Sequence, residues 1–315
     1  MEWTIRPFRG EDTAEVVGLL QRTLPAESIT PGLIARRVLL DPNFDVKGAP
    51  VAVAGGEVVG FVLAIRRLRP LEDGPDDRDR GWITLFAVDD RFRRQGVGSA
   101  MLEAGLTWLR DQGCARALVS PYAPNYWTPG VDVRAHPDAV AFLESHGFTV
   151  AARPLSMAAP LDGGWSVPQW LPARQTALES SGVRLVPFDL PHAIVLTDFL
   201  RAEFPGDWQR CLRESMIDIA AGRRPPDDIL LAYDGEELAG FAQHEGERFG
   251  PFGIAQSQRG RGIGALLLFR MLETMRGKGL RNAWFLWTDD ATADRLYRSA
   301  GFAETRRYSV MSRSL

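Results

Sequence analysis

Four blocks of sequence occur twice in this chain, in the same order, and no other feature limits its possible folds as much. The first copy has them at residues 4–8, 53–61, 93–98 and 139–148, and the second has them at 184–188, 233–241, 259–264 and 293–302. A length of 315 residues is enough for about two ordinary domains. We therefore predict one fold of roughly 150 residues that is present twice.

The repeat sets the predicted domain boundaries. An N-terminal domain is expected over residues 1–157 and a C-terminal domain over 182–315. Residues 158–181 join them, and their prolines and glycines interrupt regular structure. Trp165 and Trp170 predict that this connection is packed, because side chains of this size are usually covered.

The first copy is longer than the second. The separation between matching blocks falls from 180 to 166 and then to 154 residues, which gives the first copy insertions of 14 and 12 residues. The first falls within Arg66–Gly81, whose composition predicts an exposed loop. The second falls around Pro121–Pro137, an aromatic segment that is either a substrate rim or a contact between the copies.

Both copies show the same order of predicted secondary structure. A β-hairpin is expected around Gly55-Gly56 and again around Asp234-Gly235, since apolar strand-forming runs flank each turn. A third strand, a glycine-rich loop, a helix, a fourth strand and a second helix follow. Left-handed glycine caps are expected to end these helices, at Gly113 and Gly147 in the first copy and at Gly279 and Gly301 in the second. The predicted fold class is α/β, with a mixed sheet in each domain.

Composition excludes several classes of protein. The chain is 45% hydrophobic and 24% charged with a net charge of −3, which argues against disorder and against a nucleic-acid partner. Neither a signal peptide nor an apolar run of about 20 residues is visible, so we expect a cytoplasmic protein with no membrane partner. Two cysteines and four histidines predict neither a disulfide framework nor a metal site.

Each glycine motif lies between a predicted strand and a predicted helix. The unpaired N–H groups and the positive dipole end of such a helix favour an anion, most naturally a pyrophosphate, and flanking arginines add donors for phosphate oxygens. Neither loop has the Gly-Lys-Ser/Thr of a Walker loop or the context of a dinucleotide fingerprint. The other interpretation is a structural turn with solvated arginines. The motifs are Arg93, Arg94, Gln95, Gly96, Val97 and Gly98, and Arg259, Gly260, Arg261, Gly262, Ile263 and Gly264.

The second copy resembles the GNAT family of acetyl-CoA-dependent N-acetyltransferases through Arg259-x-x-Gly262-x-Gly264 and the later Leu296-Tyr297-x-x-x-Gly301-Phe302. The resemblance implies two tandem GNAT-like domains, each with a mixed, mostly antiparallel sheet and flanking helices. It implies acetyl-CoA as co-substrate, with its pyrophosphate on the backbone amides of 94–98 and 260–264. The pantetheine arm would pair with strand edges at Phe86, Ala87 and Val88 and at Phe252, Gly253 and Ile254. Where the family often has an asparagine that contacts pantetheine, this chain has His136 and Asp290.

The same resemblance implies a catalytic role for Tyr297, because GNAT enzymes commonly use a tyrosine on the second helix to protonate the departing thiolate. The first copy has Leu143 at this position, and leucine cannot donate a proton. That copy is expected to bind CoA without turnover, to use Tyr122 or Tyr126 as donor, or to act as a scaffold. The C-terminal copy is the expected catalytic one, although Tyr297 could also be a core residue.

The base and the acceptor are less constrained. Glu245 is the expected base that takes the amine proton, and His244, Glu247 and a water chain are the alternatives. The expected reaction is direct attack by a primary amine of a small molecule in a ternary complex. An amino sugar is one acceptor that aromatic side chains could stack on, and core packing is their other role. The alternative function is a CoA-binding sensor or regulatory protein without turnover. The aromatic side chains are Trp284, Phe285 and Trp287.

Overall fold

The computed structural model describes residues 2–315, and the chain divides into two units. Unit 1 is formed by the chain up to Pro70, by Asp76–Pro154 and by Tyr308–Leu315. Unit 2 is formed by Leu71–Pro75 and by Leu155–Arg307. The units are therefore not the contiguous ranges 1–157 and 182–315 that the repeat suggests, since short segments from each range belong to the other unit.

Unit 1 is a mixed sheet with helices on both faces. Its strands follow the order β1-β2-β3-β4-β5, and only the β4–β5 pair is parallel. Buried residues of α1 pack on one face, and those of α3 and α4 pack on the other. The elements are β1 (Thr4–Pro7), α1 (Thr13–Thr23), α2 (Pro31–Ile34), β2 (Pro50–Ala54), β3 (Glu57–Arg66), β4 (Arg80–Val88), α3 (Val97–Asp111), β5 (Arg116–Val119), β6 (Val131–Asp132), α4 (Pro137–Ser145) and β7 (Thr149–Ala152).

Unit 2 repeats this plan. Its strand order is β14-β8-β13-β12-β11-β10-β9, and only the β12–β13 pair is parallel. A π-helical turn, Ala293–Tyr297, and a 3-10 turn, Arg298–Ala300, extend α9. The elements are β8 (Leu155–Pro160), α5 (Leu171–Ser180), β9 (Val183–Pro187), α6 (Ala193–Glu203), α7 (Asp207–Ala220), β10 (Ile229–Asp234), β11 (Glu237–Glu245), β12 (Arg248–Ile254), α8 (Ile263–Gly277), β13 (Asn282–Thr288), α9 (Asp290–Thr292) and β14 (Ala303–Ser314).

Strand pairing explains why residues near 155–160 belong to unit 2 and why Tyr308–Leu315 belong to unit 1. In unit 2, β8 lies between β13 and the first part of β14, with Met157 opposite Phe285 and Ala158 opposite Ala303. In unit 1, the last part of β14 pairs with β5, with Met311 opposite Val119. Unit 2 thus takes β8, which spans the end of the predicted N-terminal domain and the start of the predicted connection, and unit 1 takes the last part of β14 from the predicted C-terminal domain. Backbone pairing between distant residues fixes which sheet a strand joins.

The predicted class and repeat are confirmed by these two mixed α/β units. The predicted helix caps are also confirmed, since Gly113, Gly147, Gly279 and Gly301 all have φ between 80° and 91°. In the connection, Trp165 is buried in unit 2, and its indole N–H donates to the Ala300 carbonyl at 3.1 Å. Within residues 2–315, no helix has the length and apolar character needed to cross a membrane.

Candidate functional site

In unit 2 the two parallel strands diverge soon after they meet. β12 and β13 share one aligned pair, Arg248 with Trp284. Further along β12, Phe252, Gly253 and Ile254 are paired with β11 on the opposite side. The β13-facing edge of these residues therefore presents backbone groups to which an extended ligand can hydrogen-bond.

Unit 1 contains the same divergence. β4 and β5 are paired from Arg80 opposite Arg116 as far as Ile83 opposite Val119. Beyond this point Phe86, Ala87 and Val88 are paired with β3 alone among the described strands. The structure thus places both predicted pantetheine edges along diverging parallel strands.

The glycine loops join these strands to α3 and α8. Gly96 and Gly262 precede the helices with φ of +84° and +90°, a region that favours glycine. The first intrahelical bonds are donated by Ala100 and Leu266, so the N–H groups of the preceding three residues have no acceptor within residues 2–315. Arg94 adopts φ +59° where the second loop has Gly260 at +81°, so the two loops share a backbone path. Both loops have the geometry of an anion site.

The loop arginines already have partners in the protein. Arg93 forms an ion pair with Asp90 at 2.9 Å, and Arg261 forms one with Asp234 at 2.5 Å. The Arg259 guanidinium donates to the Ile254 carbonyl at 3.2 Å. A guanidinium has five N–H donors, so Arg93 or Arg261 can contact a phosphate oxygen while it keeps its carboxylate partner.

A further guanidinium lies at the second loop. Arg174 of α5 donates to the carbonyl of Arg261, and it lies so close to Gly262 that a Cβ there would be 2.5 Å from its Nε. Apart from its chain neighbours, no atom of residues 2–315 lies within 4 Å of the corresponding Cβ position at Gly96. Since α5 lies outside the repeated blocks, the sequence carried no signal for Arg174.

The model of the Acetyltransferase (GNAT) family matches residues 21–148 and 194–302, one stretch in each copy of the repeat. This chain belongs to the GNAT family. The resemblance seen in the motifs and the predicted acyltransferase class are confirmed, and acetyl-CoA is the co-substrate of this family.

Relatives of this GNAT protein agree with that assignment. Mycothiol acetyltransferase of Corynebacterium glutamicum (strain R) is 25% identical in an alignment 242 positions long that covers 72% of this chain and 74% of that protein. The glucosamine N-acetyltransferase region of a fungal multi-domain GH3 β-N-acetylglucosaminidase has a TM-score of 0.78 at 18% identity; the match covers 99% of this chain and 38% of the fungal chain. A tandem GNAT protein from the clavulanic acid biosynthesis pathway has a TM-score of 0.62 at 17% identity, with 99% and 98% coverage. The structural likenesses show the tandem GNAT fold.

Tyr297 lies beside the point where β12 and β13 diverge. Its ring centroid is 4.5 Å from that of Phe285 and 6.4 Å from that of Phe249, the residues that follow the aligned pair. The side chain is 9% exposed, and no residue within 2–315 forms a hydrogen bond with its hydroxyl. Burial, with a contribution from the Asp289 charge, raises the pKa of Tyr297 above its usual range. The hydroxyl is therefore protonated at neutral pH.

The corresponding place in unit 1 is apolar. Leu143 is 5% exposed, and the neighbouring Phe142 ring stacks on Phe86 at 5.7 Å. His146 packs on Phe142, and its Nε2 lies 3.0 Å from the Ser99 hydroxyl in the first turn of α3. Where unit 2 has the Tyr297 hydroxyl, unit 1 thus has the apolar side chain of Leu143.

Tyr122, the alternative donor in unit 1, is fully buried. Its hydroxyl lies 3.0 Å from both carboxylate oxygens of Asp41 and accepts a hydrogen bond from Asn43 at 2.7 Å. The Arg67 guanidinium covers its ring at 4.9 Å. Burial, reinforced by the Asp41 charge, raises the pKa of Tyr122. With Trp127, it anchors the second insertion in a core of unit 1, which indicates a structural role.

The candidate bases have different surroundings. Glu245 is exposed at the end of β11, next to the β11–β12 turn. The Glu247 carboxylate accepts hydrogen bonds from the backbone N–H groups of Arg281 and Asn282. His244 is 2% exposed, and its Nε2 lies 3.1 Å from Asp228. His244 and Glu247 thus have structural partners, whereas Glu245 is accessible.

The aromatic residues of β13 divide between two faces. Phe285 is buried in the core beneath α8, whereas Trp284 and Trp287 are 37% and 45% exposed. Asp290, at the family's asparagine position, forms a bidentate ion pair with Arg307. Trp284 and Trp287 therefore each keep part of their side chain accessible, and Asp290 is used by the fold.

Cys114 and Cys211 are both free. In the part of the chain that the structure describes, no group of three or more His, Cys, Asp or Glu side chains is placed to hold a metal ion.

Proposed function

We propose that this protein transfers an acetyl group from acetyl-CoA to a primary amine of a small molecule, and that unit 2 performs the reaction. The observation that carries the proposal is the position of Tyr297 beside the divergence of β12 and β13. This is where a thioester would lie if the loop 260–264 held the pyrophosphate and the free edge of Phe252–Ile254 paired with the pantetheine arm.

In the proposed chemistry the chain must hold the thioester, protonate the departing sulfur and accept a proton from the amine. The loop and the strand edge hold the thioester in a fixed place, which supplies the proximity that an amine attack needs. The amine nitrogen bonds to the carbonyl carbon while the carbon–sulfur bond breaks, and the proton of the Tyr297 hydroxyl passes to the departing sulfur. The surplus amine proton passes to Glu245 or to water. Tyr297 fits its task because its raised pKa keeps it protonated at neutral pH.

An amino sugar is the acceptor class that we propose to test first. Trp284 adjoins the divergence and is 37% exposed, so its indole face can stack on a sugar ring. The names of two relatives, a mycothiol acetyltransferase and a glucosamine N-acetyltransferase region, agree with small acceptors. We predict that Trp284 is the side chain that stacks on the sugar ring, and the variant Trp284→Ala tests this prediction.

For unit 1 we propose CoA binding without turnover. Leu143 replaces the tyrosine, and Tyr122 is fully committed to Asp41 and Asn43. The proposed role of the first glycine loop is therefore to hold CoA without catalysing acetyl transfer.

Release of CoA thiol from acetyl-CoA across a panel of amines tests the enzymatic proposal. Amino sugars should be acetylated faster than linear polyamines or amino acids, and mass spectrometry should find the acetyl group on nitrogen. If CoA binds to unit 2 but no amine accelerates thiol release, the protein is a CoA-binding regulator and the catalytic proposal is wrong.

A further inference from the structure

The segment Leu71–Pro75 belongs to the first insertion of the sequence, yet it is part of unit 2. The Glu72 carbonyl accepts the N–H of Gly206 at 2.8 Å. The Asp73 carboxylate accepts from Gln209 Nε2 at 2.7 Å and from Arg201 Nε at 3.1 Å. The segment therefore bonds to both helices of the α6–α7 hairpin and to the turn between them.

These contacts fix a turn with special backbone geometry. Gly206 has φ +87° and ψ −122°, a conformation that a residue with a Cβ rarely adopts. The Gln209 side chain is 4% exposed, and Asp73 provides the acceptor for its amide group. Since a buried donor without an acceptor is costly, Asp73 contributes to the position of α7.

The α6–α7 turn in turn contacts the site strand. The Phe204 ring covers Gly253, where a Cβ would be 2.5 Å from Phe204 Cζ. The Glu203 carboxylate accepts the N–H of Gln256, just after β12, at 3.0 Å. Phe204 also stacks on Trp208, whose centroid is 5.0 Å away and whose side chain is 38% exposed. The turn is thus a wall on β12 beside the strand edge that the proposed function assigns to the pantetheine arm.

The two faces of the sheet differ in access at this point. On the α8 face, Phe249, Phe285 and Tyr297 are all at most 9% exposed and close the divergence. Across the sheet from these residues, the side chains of Trp284 on β13 and Trp208 on α7 are 37% and 38% exposed. An acceptor amine would therefore approach from the α6–α7 face, beside Phe204.

We propose that Leu71–Pro75 is a positioning segment that holds the α6–α7 turn as the acceptor-side wall of the unit 2 site. This inference rests on the proposed function. It gives the first insertion a role: the segment acts through Phe204 and Glu203 without touching the reacting atoms.

Two alanine variants test the segment. Asp73→Ala removes the bonds to Gln209 and Arg201. Asp76→Ala is the matched control, since Asp76 is a half-exposed carboxylate of the same insertion that pairs with Arg78 two residues away. Hydrogen exchange in peptides covering 203–210, the KM of the acceptor, kcat, and the affinity for CoA are measured in each. We expect Asp73→Ala to accelerate exchange and to raise the acceptor KM by roughly three- to tenfold, with kcat and CoA affinity unchanged. Asp76→Ala should match the wild type.

Each contrary result has its own meaning. Unchanged hydrogen exchange and an unchanged acceptor KM in Asp73→Ala would overturn the inference. A rise in KM with parallel losses of kcat and CoA affinity would also overturn it. If the alanine variant unfolds, Asp73→Asn replaces it, because one carbonyl oxygen can still accept from Gln209; the same changes, smaller in size, are expected. If no amine is acetylated by the wild type, the proposed function fails, and the exchange experiment alone still decides whether the segment holds the turn.

Discussion

The guanidinium of Arg174 lies against Gly262, so that a Cβ at Gly262 would be 2.5 Å from its Nε and 2.6 Å from its Nη2. At the equivalent glycine of unit 1, Gly96, no described residue other than its chain neighbours has an atom within 4 Å of the Cβ position. The two glycine loops share a backbone conformation and differ in what covers them. The linker helix α5, which has no counterpart in the repeated blocks, causes the difference.

Substitution of these glycines should therefore have unequal effects. Gly262→Ala imposes a residue with a Cβ at φ +90° and displaces the flexible Arg174 side chain from its bond to the Arg261 carbonyl, whereas Gly96→Ala imposes only the backbone strain at φ +84°. Such strain costs about 1 kcal/mol. We expect Gly262→Ala to reduce thermal stability and CoA affinity more than Gly96→Ala, as measured by scanning calorimetry and titration calorimetry. Equal effects would show that Arg174 moves away freely.

Tyr297→Phe tests the proposed proton donor. The ring packing against Phe249 and Phe285 is kept, so CoA affinity should change little. Turnover should fall by roughly 10²–10⁴-fold, the usual contribution of a positioned general acid. Steady-state kinetics and CoA titration measure the two quantities separately.

Tyr122→Phe is the matched control for that experiment. It also removes one phenol oxygen from a buried ring, but this oxygen bonds to Asp41 and Asn43 in unit 1. We expect a loss of about 1–3 kcal/mol in the free energy of unfolding with normal kcat, because the buried Asp41 carboxylate loses one of its donors and the Asn43 amide loses the acceptor that Tyr122 supplies. The opposite pattern, a silent Tyr297→Phe with an inactive Tyr122→Phe, would place the chemistry in unit 1.

Gly98→Glu tests the first glycine loop as a CoA site. Gly98 lies in the first turn of α3, where the free N–H groups are, and its Cβ position has only ordinary contacts, at 3.6 Å or more from Phe142. The variant should therefore fold, while its carboxylate occupies and repels the phosphate position. Titration calorimetry should lose one binding event and retain the one of unit 2. Two unaltered binding events would exclude the phosphate assignment at this loop.

The Asp228 carboxyl makes the stability of unit 2 sensitive to acid. Burial alone would raise the pKa of Asp228, but hydrogen bonds from His244, Lys278 and Arg224 outweigh burial and hold that pKa well below its usual range. A carboxyl with a lowered pKa in the folded state stabilises fully above its unfolded pKa, near 3.9, and loses this contribution as the pH falls toward the folded value. The melting temperature of the wild type should thus decline below about pH 4.

Asp228→Asn should lower stability at pH 7 by about 1.5–3 kcal/mol, the range for hydrogen bonds to a charged group, and should flatten the acid decline. Asp227→Asn is the control, because Asp227 pairs with the same Lys278 at 2.8 Å but is 46% exposed. An exposed pair contributes little, so this variant should stay within about 1 kcal/mol of the wild type. Identical acid profiles for all three proteins would contradict the role of Asp228.

The sequence by itself determined the elements whose signals are local. The hairpins around Gly55-Gly56 and Asp234-Gly235, the glycine caps of the helices and the strand-loop-helix order all appear in the structure as predicted. Their causes lie within a few residues: left-handed backbone positions that only glycine takes easily, and apolar stripes that bury one helix face. Because the motifs are repeated, the fold class and the family inferred for one copy could also be inferred for the other.

Only the tertiary structure decided which segments complete each unit and each site. Strand β8 joins the sheet of unit 2, and Tyr308–Leu315 joins that of unit 1, although the repeat suggested contiguous domains. The approach of Arg174 to Gly262 and the bonds of Asp73 to α6 and α7 likewise have no trace in local sequence patterns. The physical reason is that periodicity shows which face of an element is buried, whereas the partner of a strand edge or an exposed side chain is chosen among residues distant in the chain.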